Sequence, residues 1–213
     1  FKDWFGDWEN DAKNASKVVD ENGEPLVVYH GTPNGEFNTF NSESYFTSDK
    51  NYADRYQNPS ASSQSRRFDI TNQRTYAVFI NSRNPFDTNK PKENNIFQKE
   101  FYRKMGNGSP LSENNGFPDW TDASDLIEFI NEKDYSYDMI IVDEGGDIDG
   151  NNNIKLRGIS YIPLNPNQIK SATANVGTYS ANSNDIRFSI NSKTPLSVKE
   201  QTEVINDLVA NGE

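Results

Sequence analysis

One histidine, one glycine and two tyrosines stand where they could together bind a flat, polar ligand. His30 is the only imidazole of the 213 residues, and Gly31 follows it directly. An imidazole at a strand end can form a hydrogen bond with a ligand hydroxyl, and a glycine lets a ligand approach the backbone N–H and C=O closely. Tyr45 and Tyr56 are eleven residues apart, so an intervening turn can bring their rings to one slot. Such a slot suits a flat heteroaromatic ring, with about 0.5–1.5 kcal/mol for each aromatic contact.

Each of these residues also has an ordinary structural explanation when it is considered alone. A single histidine after a strand is commonly a surface residue or a hydrogen-bonded core residue, and tyrosine pairs commonly only pack. Tyr52 lies four residues before Tyr56, so the two would share one helix face. The functional interpretation therefore depends on all of these residues occurring together at this spacing.

The elements that must position these residues are a buried strand, a short aromatic strand and a helix. The apolar, β-branched run PLVVYH at 25–30 predicts a central strand that ends at Gly31. Residues 44–47 predict a second strand, and Ser48 or Asp49 can cap a helix that continues to about Gln57. The other predicted strands are 75–80, 139–142, 159–164, 168–172 and 185–190, and the other predicted helices are 94–105 and 122–133.

The order of these elements indicates an α+β domain. Helices and strands do not alternate regularly, which favours mostly antiparallel strands over a doubly wound parallel sheet. Residues 1–24 begin with aromatics at helical spacing and are expected to pack on the core, and residues 25–190 form the main domain. Residues 191–213 read as a linker followed by a C-terminal helix, and 58–68 as a mobile loop.

The composition excludes several classes of protein. The chain has no cysteine and one histidine, so disulfides, thiolate chemistry and a Cys/His zinc site are excluded, and we expect no metal. A net charge of -11 argues against a broad surface that follows nucleic-acid phosphates. No apolar run is long enough for a membrane span. The chain begins with Phe1, so we expect it to be part of a larger polypeptide.

Two segments resemble the diphtheria-toxin and poly-ADP-ribose-polymerase branch of the ADP-ribosyltransferases. That branch has a His-Tyr-Glu signature, whose first motif is a strand ending in Tyr-His-Gly-Thr or close to it. YHGT stands at 29–32 in this chain. The second motif is an aromatic strand followed by a helix with a tyrosine eleven residues later, and YFTSDKNYADRY at 45–56 has that spacing. The resemblance covers about residues 25–172 and implies a split antiparallel β-sheet core with flanking helices and an NAD site between two small sheets.

The resemblance also implies a role for each matched residue. His30 would bind the adenosine-side ribose of NAD, and the backbone of Gly31 would hold the nicotinamide carboxamide. Thr32 completes the first motif and would belong to the same binding site. Tyr45 and Tyr56 would enclose the nicotinamide ring, with Tyr45 and His30 also acting in catalysis.

The third signature position departs from the common pattern. The segment YIPLNPNQIKSA places Gln168 where the family has a catalytic glutamate, and this resembles the His-Tyr-Gln variants in ADP-ribosyltransferase domains of phage and mobile-element polyvalent proteins. The opening FKDWFGDWEN and the later NDIRFSI resemble segments of the same proteins. A glutamine keeps the hydrogen bond and loses the charge, and removal of one electrostatic element typically costs about 2–4 kcal/mol of barrier. Asp143 and Glu144 are possible substitute carboxylates.

The activity implied is transfer of a single ADP-ribose from NAD to a macromolecular acceptor, with release of nicotinamide. The alternatives are an NAD glycohydrolase, with water as acceptor, and an inactive NAD-binding or interaction domain. The negative charge favours a protein acceptor over nucleic acid, and the resemblance implies action in a bacterial cytoplasm. The cations that could reach the NAD pyrophosphate are Arg55, Arg66, Arg67 and Lys170.

Overall fold

The computed structural model describes six stretches of the chain: 1–57, 72–88, 123–132, 135–148, 154–174 and 183–187, with backbone alone at 143–148 and 154–157. Three predicted segments lie outside these residues, namely the loop 58–68, the helix 94–105 and everything after residue 187.

Seven strands form one mixed sheet in the order β4-β5-β6-β2-β1-β3-β7. The strands are β1 Val28–Thr32, β2 Phe46–Thr47, β3 Arg74–Ile80, β4 Pro85–Asp87, β5 Met139–Ile148, β6 Ile154–Pro163 and β7 Ile169–Ser171. Only β4 and β5 run parallel, and the other five pairings are antiparallel. The α+β class with mostly antiparallel strands is therefore confirmed.

The two-residue strand β2 is the narrowest part of the sheet. It pairs with β1 at a single register position, Tyr29 opposite Thr47, and with β6 through Phe46 and Thr47. The two halves of the sheet, β4-β5-β6 and β1-β3-β7, are joined only through β2 in the described residues. The narrowing leaves strand β1 without a β2 neighbour beyond Tyr29, where the histidine and the glycine stand.

In the described stretches, three helices flank the sheet: α1 Lys2–Phe5, α2 Lys50–Asp54 and α3 Ala123–Glu132. The side chain of Asp49 caps α2 by accepting from the backbone N–H groups of Asn51 and Tyr52, which decides between the two caps that the sequence allowed. The same stretches include two short 3-10 helices, Arg55–Gln57 after α2 and Pro166–Gln168 before β7. No helix in the described part of the chain is both long and apolar enough to span a membrane.

Two apolar clusters on either side of the β2 junction form most of the core. Helix α3 buries Leu126, Phe129 and Ile130 against Phe86 of β4 and Ile140 of β5. The helix predicted for 122–133 is therefore confirmed, and its buried residues, three and four apart, share one face. The second cluster includes Val28, Phe40, Phe46, Tyr76, Val78 and Ile169. These clusters fix β1 and β2 from both sides and so hold the edges of the site.

Several predicted boundaries in the first half of the chain are corrected. Strand β1 begins at Val28 and continues past Gly31 to Thr32, since β3 pairs with it along its whole length. Tyr45 precedes β2 and is not in it. Residues 85–87 form the short strand β4, parallel to β5, where the sequence had not indicated a strand.

The second half of the chain differs from prediction at its hairpin and its last strand. The stretch expected to be a loop, 143–153, is largely taken up by the extension of β5 to Ile148 and by the start of β6 at Ile154. Residues 185–187 are not assigned to a strand. Ile186 is buried, and its backbone donates to Asn38 and accepts from Ser171, so this segment lies between β7 and the loop after β1.

Candidate active site

A cavity of about 1130 Å³ opens where β1, β2 and α2 meet. Its lining includes His30 and Gly31 from β1, Tyr45 just before β2, and Tyr56 from the 3-10 helix after α2. Four of the six predicted site residues are thus brought into one cavity. Their convergence follows from the sheet order, because β2 is hydrogen-bonded to β1 and α2 packs on β1.

His30 is held in one orientation by the backbone in front of β2. Its Nδ1 lies 2.8 Å from the carbonyl oxygen of Tyr45, and since a carbonyl only accepts, Nδ1 carries the proton. Burial lowers the pKa of His30, only partly opposed by this hydrogen bond, and the rings of Phe40 and Phe46 lie 5.1 and 5.5 Å from the imidazole. The imidazole is therefore neutral near pH 7, and Nε2 is left as a hydrogen-bond acceptor suited to a ligand hydroxyl.

Gly31 is required by the packing of α2 as well as by any ligand. A Cβ at this position would lie 1.7 Å from the carbonyl oxygen of Ala53, a distance at which no side chain fits. At the edge of β1 that faces β2, the two strands pair only at Tyr29. Gly31 is therefore paired only with Thr75 of β3, at the opposite edge. The backbone of Gly31 therefore borders the cavity without a strand between them.

The tyrosines form the walls of the cavity, with one difference from expectation. Tyr45 is half-buried and packs against the cluster under α3, whereas Tyr56 is 52% exposed. The ring next to Tyr56 is that of Tyr52, at 5.6 Å and 75° between planes, with the two hydroxyl oxygens 3.1 Å apart. Tyr52 lines the cavity too, besides packing its helix on Gly158. In the sequence, the four-residue spacing of Tyr52 and Tyr56 had already indicated that these two side chains share one helix face.

Thr32 lies outside the cavity lining. It is buried opposite Arg74 at the end of β1, and its hydroxyl oxygen accepts from the backbone N–H of Asn34 at 3.2 Å. The hydroxyl therefore stabilises the turn that leaves the strand, which is a common use of threonine at such a position.

Gln168 lies away from the cavity. Strand β7 pairs with β3 on the side opposite to β1, and Gln168 immediately precedes it. Its side-chain oxygen accepts from the backbone N–H of Asn165 at 2.8 Å, and its side-chain nitrogen donates to the carbonyl of Asn81 at 2.9 Å. The side-chain oxygen thus completes a capping box with Asn165, and the side-chain nitrogen joins Gln168 to Asn81, just after β3.

Two residues that the sequence did not single out line the cavity, Ser160 and Glu43. Ser160 is buried on β6, opposite Thr47 of β2, so it is the residue that a late strand contributes. The alternation in the run ISYIP could have indicated that Ser160 faces away from its exposed neighbour Ile159. Among the described residues, Glu43 is the only carboxylate in the lining. The side chains of Asp143 and Glu144 are not among those described.

The described cations contribute nothing to the cavity lining. The guanidinium of Arg55 lies over the Tyr52 ring at 5.6 Å from its centre. Lys170 is buried in β7, where Nζ donates to the carbonyls of Ser183 and Asp185, and burial lowers its pKa. Arg66 and Arg67 lie outside the described residues.

The fold and the cavity together define an α+β domain with a ligand-sized cleft at the centre of a mixed sheet. The chain matches the model of a protein family described as ADP-ribosyltransferase in polyvalent proteins, over residues 20–179. It therefore belongs to this family, which confirms the resemblance and supports an ADP-ribosyl transfer activity in general terms. No curated protein and no solved structure matches the chain significantly.

Proposed function

We propose that this domain binds NAD in the cavity and transfers its ADP-ribose to a macromolecular acceptor as a single unit. The observation that carries the proposal is the fixed, neutral imidazole of His30, which borders the same cavity as Gly31 and Tyr45. These residues supply a hydroxyl acceptor, close access to backbone groups, and an aromatic wall. A dinucleotide with a flat amide-bearing ring needs all three.

The size of the cavity suits a dinucleotide. Its volume of about 1130 Å³ lies just above the roughly 300–1,000 Å³ typical of small-molecule pockets. In the free protein, the exposed ring of Tyr56 stands at the opening, so a bound nicotinamide could be covered by it from the solvent side. Tyr45 lies on the inner side, against the core under α3.

The reaction breaks the bond between ribose C1′ and the nicotinamide nitrogen. Both electrons of that bond leave with the nitrogen, which neutralises the pyridinium, and positive charge develops on the ribose. A lone pair of the acceptor then bonds to C1′, and the acceptor loses a proton to solvent. The pocket holds the ribose through His30 Nε2, which accepts a hydrogen bond from a ribose hydroxyl while the imidazole stays neutral.

Neither Gln168 nor Ser160 contributes a negative charge to the cavity. The amide of Gln168 is occupied at Asn165 and Asn81, and Ser160 offers an uncharged hydroxyl. The lack of a negative charge at these two residues favours slow transfer of a single ADP-ribose over rapid formation of ADP-ribose chains. We assign the acceptor to proteins, given the net charge of -11, and place the domain in a larger polypeptide that acts in a bacterial cytoplasm.

Calorimetry with NAD, followed by measurement of nicotinamide in the same sample, tests the proposal. We expect NAD to bind and nicotinamide to be released slowly. His30→Ala and Tyr45→Ala should each weaken NAD binding about five- to thirtyfold, because each removes a hydrogen bond or aromatic wall worth roughly 1–2 kcal/mol. Far-UV circular dichroism and unfolding curves check that both variants fold.

Gln168→Ala is the control outside the cavity. It should lower stability by roughly 1–3 kcal/mol, since it leaves the Asn81 carbonyl and the Asn165 N–H without that partner, and leave NAD affinity unchanged. No NAD binding at millimolar concentration contradicts the proposed function. Release of nicotinamide into water alone, with no acceptor modified in a bacterial lysate, identifies the domain as an NAD glycohydrolase instead.

A further inference from the structure

The positive charge that develops on the ribose needs a negative partner within the cavity. In the part of the lining that the structure describes, Glu43 is the only residue with a full charge, and no lysine or arginine accompanies it. The remaining lining residues are aromatic, small or hydroxyl- and amide-bearing, apart from the neutral imidazole. The described lining therefore offers one carboxylate to oppose that charge.

The backbone around Glu43 is anchored at both ends. Glu43 stands in a turn in which the N–H of Ser44 donates to the carbonyl of Asn41 at 3.2 Å. Before the turn, Phe40 is buried against Phe46 and the imidazole. After it, the carbonyl of Tyr45 accepts from His30. The segment from Phe40 to Phe46 thus carries the Glu43 carboxylate and the Tyr45 ring, and it also holds the imidazole of His30.

Building on the proposed function, we propose that Glu43 is a catalytic residue whose carboxylate stabilises the positive charge on the ribose as nicotinamide leaves. The carboxylate forms no covalent bond. It opposes the charge that appears at C1′ and the ring oxygen, and the charge disappears when the acceptor's lone pair bonds to C1′. A glutamate from the loop before β2 would thereby supply what Gln168 and Ser160 cannot.

The exposure of Glu43 in the free protein is compatible with this role. Water screens a charge–charge attraction strongly, and at equal distance the attraction grows as water leaves the site. A dinucleotide that fills the cavity displaces water from the side of Glu43 that borders it. In bound NAD the positive charge lies on the pyridinium, and it moves to the ribose as nicotinamide departs. Glu43 raises the rate because its carboxylate interacts more strongly with the charge on the ribose than with the pyridinium, as differential stabilisation of a transition state requires.

Glu43→Gln is the variant that isolates the charge, since it keeps the size and the hydrogen-bonding oxygen. We expect the rate constant of nicotinamide release at saturating NAD to fall at least about tenfold, while the NAD dissociation constant from calorimetry changes less than about threefold. Glu43→Asp keeps the charge on a shorter side chain and should retain more activity than Glu43→Gln.

The matched control is Glu36→Gln. Glu36 is exposed in the same loop, lies outside the cavity lining, and loses the same charge in the substitution. We expect it to release nicotinamide at the wild-type rate. Equal rates for Glu43→Gln and the wild type would overturn the role of Glu43 and leave the proposed function standing. Equal losses in both variants would overturn it too, because the effect would then be one of net charge. A wild-type protein that binds NAD and releases no nicotinamide, either alone or with a bacterial lysate as the source of acceptor, overturns both.

Discussion

At the scale of single residues, His30 shows how the surroundings select one protonation state. Phe37, Phe40 and Phe46 surround the imidazole at 6.4, 5.1 and 5.5 Å between ring centres, and this apolar shell disfavours the imidazolium. The Tyr45 carbonyl accepts a hydrogen bond from Nδ1–H, which fixes the tautomer as well. The sequence indicated a ligand-binding histidine, but the partner that sets its tautomer is a backbone atom fifteen residues later, which no side-chain motif reveals.

NAD binding should depend on pH through His30. Burial lowers the pKa of His30 below the ordinary value of about 6.5, so most of the imidazole is still neutral at that pH, and the midpoint of the loss of NAD affinity should lie below it. At lower pH, Nε2 gains a proton and ceases to accept, and affinity should fall. Calorimetric titrations with NAD at a series of pH values measure this.

The control for the pH profile is His30→Gln, which has an acceptor oxygen and does not titrate. Its NAD affinity should be flat over the range in which the wild type weakens. A wild-type midpoint above about 6.5 would contradict the assignment. Linkage gives a second check: with the folded-state pKa below the unfolded one, the unfolded chain takes the proton first. Stability should therefore fall as pH drops from about 6.5 towards the folded-state pKa, and this slope should be absent in His30→Gln.

At the scale of elements, the contact between α2 and β1 sets the shape of the cavity. Asp49 starts the helix by accepting from Asn51 and Tyr52, at 2.8 and 3.2 Å. The helix then brings the carbonyl of Ala53 onto Gly31, and its continuation places Tyr56 at the opening. The sequence indicated that Gly31 contacts a ligand. It did not show that Gly31 must also lack a side chain because α2 packs directly against it in the folded domain.

Gly31→Ala should destabilise the fold. The added methyl meets backbone atoms of Ala53 at 1.7 and 2.7 Å, and backbone cannot move aside as a flexible side chain can. We expect a loss of roughly 3 kcal/mol, the upper part of the usual range for overpacking. Urea unfolding followed by circular dichroism measures it.

Gly23→Ala is the matched control for this substitution. Gly23 has a φ of +84° and no atom within 4 Å of an added Cβ, so its substitution costs backbone strain alone, about 1 kcal/mol. If Gly31→Ala costs no more than Gly23→Ala, the close approach of α2 to β1 is not as tight as described, and the packing argument for Gly31 is wrong.

At the scale of the whole molecule, local patterns predicted where most helices and strands lie, whereas distant contacts determined which late residues border the cavity. The apolar period of α3 and the β-branched runs of β1 and β3 were sufficient to find these elements. The pairing of β2 with β6, which brings Ser160 to the cavity, joins residues more than a hundred positions apart. Gln168 was assigned to the site because of its position in the sequence. In the structure it precedes β7, which pairs with β3 on the side away from β1, and the sequence does not show this pairing.

The N-terminal segment is also set by long-range contacts, and it belongs to the folded unit although the family match begins at residue 20. Phe5 is fully buried, and Phe1 packs on Phe79 of β3 with ring centres 4.9 Å apart. The carbonyl of Trp4 accepts from the side chains of Asn81 and Arg83. The segment therefore closes the end of β3 that lies beyond the positions paired with His30 and Gly31.

Phe5→Ala should therefore destabilise the whole domain without altering the site. Truncation of a fully buried phenylalanine typically costs about 3–5 kcal/mol, and we expect a loss in this range by urea unfolding. NAD affinity of the folded fraction should remain at the wild-type value, because the cavity borders the other end of β1. Lys2→Ala, on the exposed side of α1, is the control and should cost less than about 1 kcal/mol. A loss for Phe5→Ala no larger than that of Lys2→Ala would show that residues 1–8 do not pack on β3, and the folded unit would then begin nearer to residue 20.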